Sequence, residues 1–380
     1  MKLINRLADR FAKVQPLPEG VYHKQDMQDD KPYRVHLRLK SDGSGIFILN
    51  ASTILQLNAT AAEYAYHFIR GTEPEEALKQ IASRYRVSKD VARQDYQDFM
   101  DRIETLISTP DLDPVSFLDF ERIAPHSADL TSPLRLDCAL TYRLRADSNA
   151  EYAPTKRVDR ELTTDEWRTI LDKAWQAGIP HITFTGGEAT LREDLPDLIA
   201  HAEKNSQVCG LLTDGLRLLD QEYLDLLLQT GLDHLLFLLQ PENDRSWAAL
   251  EKIMAEDIFV TVHLTLHQNN IANAEEILER LSRFNVTSLS MTSSDPSLGD
   301  TFDALRDKAA ALGLTLQFDL PVPYSEYNPV VYEAAEDAIP KGPGKAWLYV
   351  EPDGDVLPSQ GHSNKVLGNL LRDEWKTIYT

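Results

Sequence analysis

The pattern of apolar and polar positions divides this 380-residue chain into an early and a late part. In the early part, short alternating stretches predict strands, and longer stretches with helical spacing predict helices. Asn58 or Thr60 is placed to cap the first helix and Ser88 the last. We expect a winged-helix-like α+β unit over residues 31–108, with strands at 33–39, 46–49 and 52–57 and helices at 60–69, 74–85 and 88–107.

In the late part, apolar strand patterns alternate with helical patterns. Repeated βα units of this length predict an α/β partial (β/α)6 barrel over residues 133–320, with a parallel sheet and helices outside it. Ligands in such folds bind at the carboxyl ends of the strands. The strands are expected at 134–142, 181–185, 208–213, 234–239, 259–266, 288–291 and 315–318, and the helices at 165–176, 195–203, 221–229, 247–255, 274–284 and 302–311.

Three further segments complete the predicted organisation. Residues 1–30 are expected to be a tail docked on a neighbour, and they lack the apolar core and cleavage site of a signal peptide. Residues 109–132, with five acids and three prolines, are typical of a linker. Residues 321–380 are expected to be a C-terminal extension with a hairpin that turns at Pro352-Asp353-Gly354.

The second strand of the late part ends at Gly186-Gly187-Glu188. Two glycines at a strand exit allow a ligand to approach the backbone, and a carboxylate beside them can accept a hydrogen bond or hold a positive group. The alternative is a tight turn with a surface glutamate. The position at the mouth of a barrel favours a small-molecule site.

Together with this triplet, the strand that ends at Leu140-Thr141-Tyr142-Arg143 gives the chain a resemblance to the radical S-adenosylmethionine (SAM) enzymes. Among them it most resembles the peptide maturases. In that family a CxxxCxxC loop follows the strand, and its three thiolates hold a [4Fe–4S] cluster. In register, the three positions are Leu144, Ser148 and Glu151 here, so all three thiols are missing.

The missing thiols change the chemistry that the resemblance implies. Neither an aliphatic side chain nor a hydroxyl replaces a thiolate as a cluster ligand. The chain has two cysteines, Cys138 and Cys209, which lie far apart in apolar strand patterns. We therefore expect no [4Fe–4S] cluster and no reductive cleavage of SAM. The extension has Ser359 where these maturases often have a cysteine, so no auxiliary cluster is expected either.

The early part resembles the PqqD-like peptide-recognition domains of the same maturases. The resemblance depends on residues 45–50, 57–63 and 85–88 and on Gly71. Such domains capture a leader peptide as an added strand, which uses the free backbone of a sheet edge. By resemblance, the peptide-binding edge is Thr53, Ile54, Leu55, Gln56 and Leu57, facing Tyr96 and Phe99 on the last helix. The alternative is a winged-helix module that binds DNA.

By the same resemblance, Gly186, Gly187 and Glu188 line a SAM pocket, with Glu188 near the methionine amino group. Without a cluster iron to chelate, SAM is expected to bind weakly. Gln240 ends the fourth strand at the barrel mouth and is a further candidate ligand contact. Asp214 is expected to cap the turn into the next helix.

The remaining candidate ligands are weaker. His263 and His267 are expected in the core or in a loop, because they do not share a face and no carboxylate lies at metal-ligand spacing. Asp147 and Glu151 are expected to be solvated loop acids rather than ligands of a hard cation. We predict no metal site.

Composition limits the classes of partner. The hydrophobic fraction of 42% and the charged fraction of 26% are those of an ordinary globular protein. The net charge of −21 argues against nucleic acid and against an anionic membrane surface. No apolar run is long enough to span a bilayer, and a cytoplasmic location is the default expectation.

Three hypotheses for function follow. The first is a cluster-less pseudoenzyme that binds a precursor or leader peptide and assists an active maturase. The second is an active radical SAM or SAM-dependent peptide-modifying enzyme. The third is a winged-helix regulator with an effector-binding barrel, which would need a basic face that the composition does not indicate.

Overall fold

A computed structural model describes residues 16–28, 31–85, 87–109, 112, 114, 130–146, 156–293, 295–317, 320–322, 342–361 and 365–379. The predicted cluster positions Ser148 and Glu151, the acid Asp147 and most of the predicted linker lie outside these residues. The chain divides into two compact units, one of residues 1–124 and 176–180 and the other of residues 125–175 and 181–380.

The first unit contains a four-stranded antiparallel sheet with strand order β1-β2-β3-β4. Its strands are β1 (Gly20–Gln28), β2 (Lys31–Leu39), β3 (Gly45–Leu49) and β4 (Thr53–Leu57). Strand β1 lies in the segment that the sequence pattern assigned to a tail, so that part of the expectation is wrong. Its nine residues pair with β2 along their whole length, and the backbone hydrogen bonds of this pairing replace an apolar pattern as the reason for the strand.

Three helices follow this sheet: α1 (Ala59–Arg70), α2 (Pro74–Tyr85) and α3 (Lys89–Ser108). The side chain of Asn58 accepts the backbone N–H of Ala61, and Ser88 accepts that of Val91, so both caps form as expected. Apolar side chains from one face of the sheet and from all three helices build one buried core, with Leu37, Phe47, Ala65, Ile81 and Ile103 at its centre.

The second unit contains a ten-stranded sheet with order β11-β10-β9-β8-β7-β6-β5-β12-β13-β14. Strands β5 to β11 are parallel, as the alternating pattern predicted, and form an α/β partial barrel. They are β5 (Arg135–Thr141), β6 (His181–Gly186), β7 (Val208–Thr213), β8 (His234–Leu238), β9 (Phe259–Leu266), β10 (Ser288–Ser293) and β11 (Thr315–Leu316).

A helix follows each of the first six parallel strands. They are α4 (Thr164–Gln176), α5 (Leu195–Lys204), α6 (Gln221–Gln229), α7 (Asp244–Ile253), α8 (Ala274–Arg283) and α9 (Gly299–Ala311). Leu320 and Val322, beyond β11, pack against Leu212, Leu236 and Leu238 of β7 and β8. This contact fills part of the barrel interior with apolar side chains.

The C-terminal hairpin forms as predicted and continues the sheet beside β5. Strand β12 (Trp347–Val350) is parallel to β5, and β13 (Asp355–Leu357) and β14 (Gly368–Asn369) follow antiparallel before the short α10 (Trp375–Ile378). Among the residues that the structure describes, no helix is both long and apolar enough to cross a membrane.

Candidate functional site

The exit of β6 is pressed against the exit of β5. A Cβ atom on Gly186, whose φ is +132°, would lie 2.2 Å from the carbonyl oxygen of Thr141. A Cβ atom on Gly187 would lie 2.2 Å from the carbonyl oxygen of Arg143. The two glycines are therefore required by the close approach of the chain's own backbone. A ligand contact at these residues stays a prediction.

The carboxylate of Glu188 ties β6 to β7. It accepts hydrogen bonds from the backbone N–H and the hydroxyl of Thr190 (3.0 and 2.6 Å), from the hydroxyl of Thr213 (2.9 Å) and from the backbone N–H of Asp214 (2.9 Å). The side chain is buried, so the turn with a surface glutamate is ruled out. Burial, and then the nearby Asp214 carboxylate, raise the pKa of Glu188 to about 8 although these donors oppose the shift.

Two neighbouring candidates shape loops. Asp214 accepts the backbone N–H of Leu216 at 3.0 Å and so caps the turn after β7, as expected. Gln240 is buried after β8, and its side-chain oxygen accepts a hydrogen bond from Asn243 at 3.2 Å. The structure thus gives Gln240 a partner within the chain, and its role toward a ligand stays a prediction.

Thr185 is a site residue that the sequence pattern did not single out. The thiol of Cys209 contacts a backbone carbonyl of α5, so Cys209 and its strand partner Ile182 face the helices. Because side chains alternate along a strand, Thr185 faces the barrel interior. Its hydroxyl is buried and has no hydrogen-bond partner among the described residues. An unsatisfied buried hydroxyl next to Gly186 fits a polar ligand at this exit.

The exit of β5 leads to Leu144, the first of the three predicted cluster positions, and the other two lie outside the described residues. The near side of this loop is held by Glu161, which accepts hydrogen bonds from Thr141 and, at 3.2 Å, from Arg143. The buried carboxylate of Glu351 in the C-terminal extension accepts the hydroxyl of Tyr142 at 2.9 Å.

The residue that follows this loop, Arg157, is also bonded by Glu351. Arg157 donates to Glu351 and forms a second ion pair with Asp355 at 2.9 Å. Glu351 therefore joins residues that precede and follow the loop, Tyr142 and Arg157. Burial raises the pKa of the Tyr142 hydroxyl, which keeps it protonated as a donor.

The residues present do not fit a [4Fe–4S] cluster. Cys138 and Cys209 are buried in the strands β5 and β7, and Cys209 faces the helices rather than the barrel mouth. Burial raises the pKa of the Cys138 thiol, whereas a cluster ligand must be a thiolate. With two cysteines in the whole sequence, three thiolates cannot be assembled at the exit of β5.

The two histidines of β9 and its exit serve the core, as expected. His263 is buried among hydroxyls, with Ser290 at 3.0 Å and Thr265 at 3.2 Å. His267 lies in the turn after β9, where its backbone N–H donates to Asn270 at 3.0 Å. Neither belongs to a group of described residues that could hold a metal ion.

The predicted peptide-binding strand, β4, is an edge of the N-terminal sheet. Ile54 is 38% exposed, whereas Leu55 and Leu57 point into the core. Tyr96 and Phe99 lie in the same core, where both rings contact Tyr64 at centroid distances of 5.7 and 5.8 Å. Among the described residues no strand pairs with the outer edge of β4, but the two aromatic side chains of α3 are buried in the core. Peptide binding here stays a prediction.

Comparison with known proteins relates the barrel to one superfamily. Residues 138–259 match the model of the radical SAM superfamily. Two proteins named PqqA peptide cyclase are each 29% identical to the chain. The one from Granulibacter bethesdensis matches over 171 residues, which is 41% of this chain and 46% of that protein. The one from Streptomyces rochei matches over 232 residues, 53% of this chain and 62% of that protein. The chain thus spans less than two thirds of either relative.

The fold resembles that of SuiB from Streptococcus suis. The structure of SuiB bound to its precursor peptide SuiA has a TM-score of 0.61 and 14% identity, and covers 94% of this chain and 89% of SuiB. The structure of SuiB bound to S-adenosylmethionine has a TM-score of 0.57 and 13% identity, over 94% of this chain and 88% of SuiB. At this identity the similarity establishes the fold, an N-terminal antiparallel sheet domain followed by a mostly parallel sheet with helices.

Proposed function

We propose that the chain is a radical-SAM-type protein that binds a precursor or leader peptide and assists peptide maturation without a [4Fe–4S] cluster. The observation that carries the proposal is that the chain lacks the thiolates that would bind the cluster iron. The three cluster positions are Leu144, Ser148 and Glu151, and the two cysteines of the sequence are buried in strands. In this role it would act beside an active maturase.

The peptide part of the proposal is supported by the outer edge of β4, which pairs with no strand among the described residues, and by the names of similar proteins. Two relatives are peptide cyclases, and the SuiB structure with a similar fold contains a precursor peptide. Backbone groups at a sheet edge bind an extended peptide with little dependence on its side chains, and Ile54 would then contribute to selectivity.

The SAM part of the proposal is more restricted. Gly186, Gly187, Glu188 and Gln240 would line the pocket, and the hydroxyl of Thr185 would gain the partner that it lacks among the described residues. SAM supplies an activated sulfonium, whose methyl group is open to nucleophiles without any electron transfer. We propose that SAM binds weakly, because no cluster iron would be present to coordinate it.

A second candidate function is an active radical SAM or SAM-dependent peptide-modifying enzyme. It is favoured by the superfamily match over residues 138–259, which includes Gly186, Gly187 and Glu188. The two candidates differ at Leu144, Ser148 and Glu151, because a radical mechanism requires a cluster that these side chains cannot hold.

Anaerobic reconstitution with iron and sulfide, followed by iron analysis and a visible spectrum, separates the candidates. We expect a colourless protein. Binding of about four irons per chain with the brown band of a thiolate cluster would overturn the cluster-less proposal. Calorimetric titration with SAM then tests the pocket: we expect weak heat that is lost in the Glu188→Ala variant and kept in Glu193→Ala, whose side chain is 85% exposed.

The peptide proposal has its own test. Short peptides encoded beside the gene are titrated into the labelled protein, and the amide signals of Thr53–Leu57 are followed. We expect shifts in these signals, and at least tenfold weaker binding in Ile54→Lys. The matched control is Met27→Lys, because Met27 is 57% exposed on the opposite edge strand. Unshifted β4 signals, or equal losses in both variants, would reject β4 as the binding edge.

A further inference from the structure

A cavity is lined by residues of two helices of the barrel and of the loops after β8 and β9, and by none from β5 or β6. It lies between α7 and α8, beside the loops that follow β8 and β9, and has a volume of about 240 Å³. Pro241, Trp247 and Ile277 give it an apolar wall. The volume is below the roughly 300–1,000 Å³ of pockets for drug-sized ligands, so any ligand must be small.

One side of the cavity holds a cation in a fixed position. The guanidinium carbon of Arg280 lies 3.8 Å from the centre of the Trp247 ring. The indole N–H of Trp247 donates to the carbonyl of Pro241 at 3.0 Å, and its ring stacks on Phe284, so the platform under the arginine is fixed. Among the described residues the guanidinium has no hydrogen-bond acceptor and no ion-pair partner. Its donors are therefore available to a ligand.

The carboxylate that would normally neutralise this arginine stays apart from it. Glu276 precedes Arg280 by four residues, the favourable order for a helical ion pair, yet no such pair forms. On another face of the same helix, Glu275 and Glu279 both pair with Lys308, at 3.7 and 2.8 Å. The stacking of Arg280 on Trp247 accounts for this difference, because it holds the guanidinium away from Glu276.

The cavity also presents unused polar groups between these charges. Asn270 is buried and spends both ends of its amide on the turn after β9, bonding the N–H of His267 and the carbonyl of Thr265. Its neighbours Asn269 and Asn273 line the cavity, and in the described part of the chain their side-chain amides bond nothing. The turn is thus built by one asparagine, and two remain free.

We propose that this cavity binds a small zwitterion of the amino-acid type. Its carboxylate would bind Arg280, its ammonium would lie near Glu276 and the second lining acid Glu242, and its apolar side chain would pack on Trp247 and Ile277. A separated pair of opposite charges above an apolar wall is complementary to that class of molecule and to neither a simple anion nor a simple cation. The inference does not depend on the peptide or SAM proposals.

Phenylalanine is the probe, and the indole N–H signal of Trp247 in a nitrogen-15 spectrum is the readout. We expect this signal to shift with phenylalanine, and at least tenfold weaker binding of phenethylamine and of 3-phenylpropionate, which each lack one charge. Arg280→Gln and Glu276→Gln should each weaken phenylalanine binding at least tenfold. Arg283→Gln and Glu275→Gln, on the same helix but outside the cavity, should leave it unchanged.

Two results would overturn the proposal. One is an unchanged Trp247 signal at 20 mM phenylalanine in the folded protein. The other is equal binding of phenylalanine and its two single-charge analogues, which would indicate an apolar cleft without charge recognition. Because Arg280 also packs on Trp247, its variant is assessed only after a thermal melt. If that variant does not fold, the exposed Glu276→Gln decides.

Discussion

The exits of β5 and β6 lie side by side in one barrel but are organised differently. At the β6 exit, two glycines lie against the backbone of β5 and its exit, and the carboxylate of Glu188 accepts hydrogen bonds from Thr190, Thr213 and Asp214. At the β5 exit, Tyr142 and Arg157, which precede and follow the loop, both bond Glu351 of the C-terminal extension. The β6 exit is therefore tied to the neighbouring strands of the barrel, whereas the residues around the β5 exit are tied to the C-terminal extension.

The difference separates residues that the fold itself requires from residues that only a ligand would require. The glycines are fixed by the backbone of the neighbouring strand, so they are required whether or not a ligand is bound. A thiolate that binds a cluster, by contrast, is required by the cluster and not by the fold. The two glycines are therefore not evidence for SAM binding, and the hydroxyl of Thr185, which has no partner among the described residues, is the better indicator.

The largest expected effect is that of Gly187→Ala. The new methyl group would lie 2.2 Å from the carbonyl oxygen of Arg143, and this backbone cannot retreat without disturbing β5. We expect a loss of about 3 kcal/mol or more in the free energy of unfolding, measured in urea. Gly299→Ala is the control, because its Cβ meets nothing within 4 Å, and it should change stability by less than about 0.5 kcal/mol. Equal stability of the two variants would show that the exits are not in close contact.

Next in size is Glu351→Ala, which removes the link between Tyr142 and Arg157. Arg157 keeps Asp355 and is 27% exposed on its side chain, so we expect a loss of about 2–3 kcal/mol rather than the full cost of a broken buried pair. Hydrogen exchange should rise in Tyr142 and Arg143. Asp159→Ala, whose side chain is 94% exposed, should leave both measurements unchanged. Unaltered exchange at Tyr142 would mean that Glu351 does not hold this loop.

The pH dependence of stability tests the β6 exit. The pKa of Glu188 is about 8 in the folded chain and 4.5 in the reference state, so the folded protein holds an extra proton between these values. Stability should therefore fall as pH rises through this window, by about 1 kcal/mol per pH unit between pH 7 and 8. The buried His234, with a pKa lowered to about 4, acts in the opposite direction but at lower pH.

Glu188→Gln should abolish this slope between pH 7 and 8, whatever its effect on absolute stability. Urea unfolding at several pH values measures it, with Glu193→Gln as the exposed control. A slope that persists in Glu188→Gln would assign the proton to another group.

The strands of the barrel were predicted from the sequence better than the long-range side-chain contacts around it. Strands such as Val208–Thr213 and Phe259–Leu266 have the expected bounds, because apolar runs between turns mark them. Strand β1 was missed because GVYHKQDMQ is mostly polar and owes its form to pairing with β2. Glu351 was missed because its partners lie 209 and 194 residues away in sequence. Local sequence patterns indicate which residues are buried and where the chain turns, but they do not indicate contacts between residues about 200 positions apart.

The smallest expected effect on stability is that of Thr185→Val, which tests whether the β6 exit binds a ligand or has only a structural role. Thr185→Val replaces an unsatisfied buried hydroxyl by a methyl group of similar size, so stability should stay within about 0.5 kcal/mol or rise. Thr213→Val removes a donor to Glu188 and an acceptor for Gly215, and should cost about 1–2 kcal/mol. If a polar ligand uses this exit, Thr185→Val should nevertheless weaken SAM heat in calorimetry. A stable Thr185→Val variant with unchanged SAM affinity would show that the hydroxyl does not contact SAM. It would also reject the pocket inferred from that hydroxyl.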